Sequence, residues 1–154
     1  MVRRYLGYAA MVVLLLSACW GATARAQSRI DDKDLARLMQ NVKDDAQPFR
    51  KSFANALKKS TIRGTSQEKD ARGLADTFAK QSQQALETFQ HKRKAEDQVA
   101  AMVDTAGQIN KLVNQLSLTP TVGTQWEKLN TELQQVARAF GVPDEPAGAS
   151  GSEP

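Results

Sequence analysis

The stretch Phe89-Gln90-His91-Lys92-Arg93-Lys94-Ala95-Glu96-Asp97-Gln98-Val99 decides how many helices this chain has. Only Ala95 is apolar between Phe89 and Val99, so an amphipathic stripe running through here would lose its buried face for nearly three turns. The basic run suits the negative end of a helix dipole. The spacing therefore predicts a turn, although no glycine or proline forces one. With a turn, the chain has four helices; without it, the second and third fuse into one.

On either side the pattern is helical. Downstream, Val99, Met102, Ala106, Ile109, Val113 and Leu116 repeat by threes and fours, flanked by Val103 and Leu112, with Gly107 beside the stripe as a point of close approach. Upstream, Leu74, Phe78, Ala85, Leu86 and Phe89 form a second stripe, with Gln81 and Ser82 at its middle turn. These two polar residues predict a partly hydrated layer and mark a possible ligand site. This helix opens with Thr65-Ser66-Gln67-Glu68, a capping box in which the threonine oxygen serves an N3 amide and the glutamate reaches back.

The first helix carries Leu35, Leu38, Val42, Ala46, Phe49, Phe53 and Ala56 or Leu57 on one face. Asp31 is its expected N-cap, and Ile30 and Leu35 occupy the positions of a hydrophobic staple. Pro48 removes one helical hydrogen bond at a cost of roughly 3 kcal/mol, yet the stripe keeps its phase, which predicts a kinked helix rather than two. Ser60 to Gly64 is the expected end of that helix. The last helix starts at either Thr119-Pro120 or Thr124 with Glu127. It carries Trp126, Leu129, Leu133, Val136 and Phe140, and stops at Gly141-Val142-Pro143. Four amphipathic helices joined by short turns predict an all-α, up-down-up-down four-helix bundle over 31–142, with a kink near Pro48. The alternative is a three-helix arrangement with helices two and three fused. Residues 27–30 read as a linker, and 143–154, rich in Pro, Gly, Ser and Ala, as a disordered tail.

The amino-terminal segment belongs to a different class of sequence. Met1-Val2-Arg3-Arg4 is basic, Leu6 to Leu16 is nearly unbroken apolar sequence, and small residues follow, the layout of an export signal. The apolar run is too short to anchor a span, which needs roughly 20 residues. Two cuts compete. Ala24-Arg25-Ala26 suits an ordinary signal peptidase and makes 1–26 the signal segment. Leu16-Ser17-Ala18-Cys19 resembles a bacterial lipobox and makes 1–18 the signal, with lipid on Cys19. The apolar run ends directly before the lipobox, so lipidation is the favoured reading. It implies a periplasmic or outer-envelope protein whose membrane contact is through that anchor.

Removing the signal changes the charge balance. The whole chain is +4, but Arg3, Arg4 and Arg25 precede Gln27, where no acidic residue lies. A product starting at Gln27 has 18 basic and 17 acidic residues, net +1; one starting at Cys19 is +2. Neither has the basic footprint that nucleic acid requires. Cys19 is the only cysteine, so no intrachain disulfide can form.

The residues for known bundle chemistry are missing. Di-metal carboxylate bundles use paired Glu-x-x-His motifs, whereas this chain has one histidine, His91, preceded by Glu87 at four residues. A c-type haem needs Cys-x-x-Cys-His. A b-type haem would need His91 with Met39 or Met102, but the adjacent Lys92-Arg93-Lys94 turns that position towards solvent. His91 has no nucleophile to serve, and the pairs Asp31-Asp32 and Asp44-Asp45 read as helix-start or solvated carboxylates. The expectation is a non-enzymatic protein without cofactor or metal, acting on an envelope protein or surface; a periplasmic small-ligand-binding or chaperone-like bundle is the alternative.

The order Phe49, Phe53, Leu57, Gly64-Thr65 with Glu68, Phe78, Phe89, the stripe from Val99 to Ile109, then Trp126, Leu129 and Leu133 resembles a group of uncharacterised exported bacterial helical-bundle proteins. They share a Gly-Thr turn and a late Trp-x-x-Leu-x-x-x-Leu helix. The resemblance implies a helical fold and export, and carries no activity. Leu118-Thr119-Pro120 also looks like the start of the Leu-Thr-x-x-Gln motif of Spy-type periplasmic chaperones, with Val122 in place of the glutamine.

Overall fold

A computed structural model describes residues 30–143. Cys19, both cleavage sites and the tail beyond Pro143 lie outside that range. The described residues form four helices: α1 (Asp32–Leu57), α2 (Ser66–Lys92), α3 (Glu96–Gln115) and α4 (Pro120–Ala139). α1 packs on α2 and α4, α2 on α1 and α3, and α3 on α2 and α4, and across the middle of the bundle Phe78 of α2 meets Trp126 of α4 edge-on. Sequential neighbours closing into a ring give the antiparallel bundle expected of short connections.

The deciding stretch is a turn. α2 ends at Lys92, and Arg93 caps it in the left-handed region at φ 55°, donating its N–H to the Phe89 carbonyl at 2.8 Å. Glycine is the usual residue there because it lacks a Cβ. Here the Arg93 guanidinium lies 5.6 Å from the centre of the Phe89 ring, a cation–π contact that offsets part of the conformational cost. Ala95, the one apolar residue of the stretch, is buried at the head of α3, and its carbonyl accepts from Val99 N at 2.9 Å. One small apolar side chain thus pins the turn to the core.

α1 runs unbroken through Pro48. Pro48 and Asp44 are both exposed, so water can replace the missing N–H at the Asp44 carbonyl, while Val42, Ala46, Phe49 and Phe53 stay buried opposite. The helix ends at Leu57, earlier than Ser60–Gly64, and turns fill 58–64. Asp31 is the N-cap but makes no side-chain cap hydrogen bond, and Ile30 is 36% exposed, so the expected staple is open. At α4, Thr119-Pro120 is the start that forms, and Thr124 lies inside the helix. Its far end is a Schellman motif: Gly141 at φ 69° donates to the Arg138 carbonyl at 3.1 Å, and Val142 N donates to Ala137 O at 2.9 Å.

The core is aromatic at two levels. Trp126 lies 5.1 Å from Phe49 and 6.0 Å from Phe78 between ring centres, and Phe49 stacks on Phe53 at 5.3 Å. Nearer the α2–α3 turn, Phe89 meets Phe140 edge-on at 5.7 Å. α2 differs from the expected stripe: Ala71, Ala75, Ala79 and Ala85 are its buried residues beside Phe78, Leu86 and Phe89, and Leu74 is only half-buried. Small side chains fill most of the buried positions of α2, and the larger Leu74 is left on the flank facing α3.

Candidate functional site

Leu74 is one wall of a largely apolar groove. Between the first turns of α2 and the last turns of α3 lies a groove of about 340 Å³ with Ile62, Leu74, Leu112 and Leu116 along it and Gln67, Gln108 and Gln115 among its polar residues. Asp70 and Lys111 also line it, one charge from each helix. The sequence explains the opening. On α3 the buried residues stop at Ile109; Val113 and Leu116, expected as the continuing stripe, and the flanking Leu112 are only partly covered. The surplus of apolar residues flanking that stripe was the available signal; the stripe alone assigned them all to the core.

The groove's end is set by the α1–α2 connection. Gly64, at φ 76°, turns the chain, and Thr65 caps α2 by accepting from Glu68 N at 3.3 Å. The return half of the box is shifted by one residue. The Thr65 N–H is engaged by the Ile62 carbonyl at 3.1 Å, so Glu68 accepts from Gly64 N at 2.6 Å instead. Arg72 donates to the other oxygen of the same carboxylate. The Gly64 N–H and, after it, the Arg72 guanidinium hold Glu68 below the ordinary carboxylate value despite opposing burial. Thr65 Oγ1 also donates to Ile62 O at 2.6 Å, which fastens the residue closing the groove to the cap.

Gln81 and Ser82 do not share one layer. Ser82 is buried, and its hydroxyl donates to Ala79 O at 2.8 Å within α2. Gln81 sits on the α2–α3 seam in a recess of about 200 Å³ with Gln84, Asp97, Gln98 and Ala101, where its side-chain oxygen is buried without a hydrogen-bond partner. A third recess, of about 190 Å³, opens on the α3–α4 seam beside Gly107, Asn110, Asn130 and Gln134. Gly107 faces this opening.

His91 is exposed in the last turn of α2, whereas Met39 and Met102 are buried in the core. Among the described residues no three His, Cys, Asp or Glu side chains converge as a metal set, and no helix is long and apolar enough to cross a membrane. Asp44 and Asp45, alike in sequence, part company: Asp44 accepts from Gln40 at 2.9 Å on the exposed face, and Asp45 turns towards α4, where Lys128 Nζ meets it at 2.6 Å. Asp45 is therefore not the solvated carboxylate its sequence position suggests. No protein-family model, curated protein or solved structure matches this chain.

Proposed function

We propose that this is a non-enzymatic, exported cell-envelope protein, tethered through lipid on Cys19, that works by protein contact through the α2–α3 groove. The observation carrying the contact reading is the groove itself. Four large apolar side chains from the α1–α2 connection, α2 and α3 stand partly uncovered between two antiparallel helices, with amide side chains around them. That arrangement suits an amphipathic helical segment of a partner, which lays its apolar face along such a cleft. Export and tethering rest on the amino-terminal sequence: a basic start, an apolar run ending at Leu16, and Leu16-Ser17-Ala18-Cys19 directly after it. A small polar ligand is the second reading, favoured by the unpartnered Gln81 oxygen in its amide-lined recess.

Intact-mass analysis of membrane and soluble fractions tests the export reading. The expected species is membrane-bound, begins at Cys19 and carries the mass of acyl chains. A Cys19→Ser variant is expected to leave the membrane fraction. Unprocessed chain in the cytosol would overturn the proposal, and a soluble product beginning at Gln27 would keep export and remove the tether.

A further inference from the structure

The α1–α4 seam contains a charged cluster that the groove does not use. Lys128 of α4 reaches Asp45 of α1 at 2.6 Å and Glu132, one turn along its own helix, at 3.9 Å. Two carboxylates thus meet one ammonium. Glu132 is the more enclosed of the acids, with 16% of its side chain exposed against 31% for Asp45, and one Glu132 oxygen is buried without a hydrogen-bond partner. A buried acceptor of that kind is costly while ionised and becomes useful once it carries a proton, because the acid can then donate to the neighbouring carboxylate.

We propose that Asp45, Lys128 and Glu132 form a proton-operated clasp that fastens α4 to α1 more tightly in mildly acidic surroundings than at neutrality. On protonation, Glu132 gains an O–H and loses its charge. Asp45 then remains the single carboxylate paired with Lys128, and the repulsion between the two acids disappears. The groups acting on Glu132 are Asp45 from α1 and Lys128 from its own helix; α3, the other neighbour of α4, contributes none. α4 is well placed to respond, because its seam with α3 is opened by the recess at Gly107 and Asn130, leaving α1 as its firmer support.

The direction of titration agrees with the geometry. Burial, then the Asp45 charge, push the Glu132 carboxyl above its ordinary value of 4.5, against the pull of Lys128. The Asp45 partner in turn holds the Lys128 ammonium more firmly protonated. A carboxyl raised in the folded state binds its proton more tightly there than in the unfolded chain. Its contribution to stability is therefore complete below 4.5 and is lost as pH rises through the folded value. Glu68 has the opposite sign: its contribution is present above 4.5 and lost as pH falls through its lowered value. The two effects occupy separate pH ranges, so the clasp is read above 4.5.

Thermal unfolding at about pH 7.5 and about pH 5.5 tests the clasp in the wild type, Glu132→Gln and Asp45→Asn. The wild type is expected to melt higher at the acidic pH. Glu132→Gln should melt at the higher temperature at both pH values, because the amide is permanently uncharged and can donate to Asp45. Asp45→Asn should flatten the dependence by removing the second acid. A wild type that melts lower at the acidic pH, or a Glu132→Gln variant with the wild-type dependence, would overturn the proposal. A carbon-detected NMR titration of the Glu132 carboxyl in the wild type gives an independent reading: a midpoint above 4.5 supports the clasp, and one at or below 4.5 refutes it.

Discussion

Trp126→Ala is expected to destabilise the fold by about 4 kcal/mol, enough to remove a large part of the margin of a domain this size. Trp126 is 2% exposed and touches three helices besides its own. Its ring meets Phe49 of α1 and Phe78 of α2, and its indole N–H donates to Asn110 Oδ1 of α3 at 3.1 Å. Truncation leaves a hole between two phenylalanines already fixed in place, Phe49 by its stacking on Phe53, so the cavity collapses poorly. Trp126→Phe separates packing from hydrogen bonding. It keeps an aromatic ring and gives up the Asn110 bond, but Asn110 is exposed and can bond water, so the loss should be near 1 kcal/mol. Urea unfolding of both variants checks the prediction. Equal losses would show that the hydrogen bond, rather than the aromatic contacts, holds the four helices in register.

Phe89→Ala has the second largest expected effect, about 3 kcal/mol in global stability, and its local signature is the more informative. Phe89 is buried edge-on to Phe140, lies under the Arg93 guanidinium, and supplies the carbonyl that accepts the Arg93 N–H. Removing the ring leaves Arg93 in a left-handed conformation without its cation–π contact. Amide exchange at 91–95 is expected to accelerate more than exchange at the α1–α2 connection. Pairing Phe89→Ala with Arg93→Gly should recover part of the loss, because glycine occupies that backbone region without strain. If Arg93→Gly deepens the loss, the guanidinium contributes something other than its contact with Phe89.

This turn also shows how the sequence carried the fold. Nine residues with one apolar side chain could not continue a buried stripe, so the chain turned, even with an arginine where glycine is usual. The stripes of α1 and α4 and the Thr65–Glu68 cap were legible for the same reason: each depends on local spacing. What was not legible depends on residues far apart. Leu74 reads as core until Ala71, Ala75 and Ala79 are seen to take the buried positions around it, and Leu116 reads as core until burial on α3 is seen to stop at Ile109. Asp45 is indistinguishable from Asp44 until α4 brings Lys128 to it. In Gln81 and Ser82, two adjacent polar residues looked like one layer, but consecutive helical positions point about 100° apart, and only one of them faces the core.

The proposed working surface of the bundle is at Leu74, Leu112 and Leu116, and its most direct test is photo-crosslinking in intact cells. A photoreactive residue at Leu112 is expected to give one discrete adduct, absent when the probe stands at the exposed Lys51 of α1 or Glu127 of α4, and lost on Leu74→Asp with the fold retained. Adducts of equal pattern from all three positions, or none from Leu112 while a different face gives one, would contradict the groove as the site of contact.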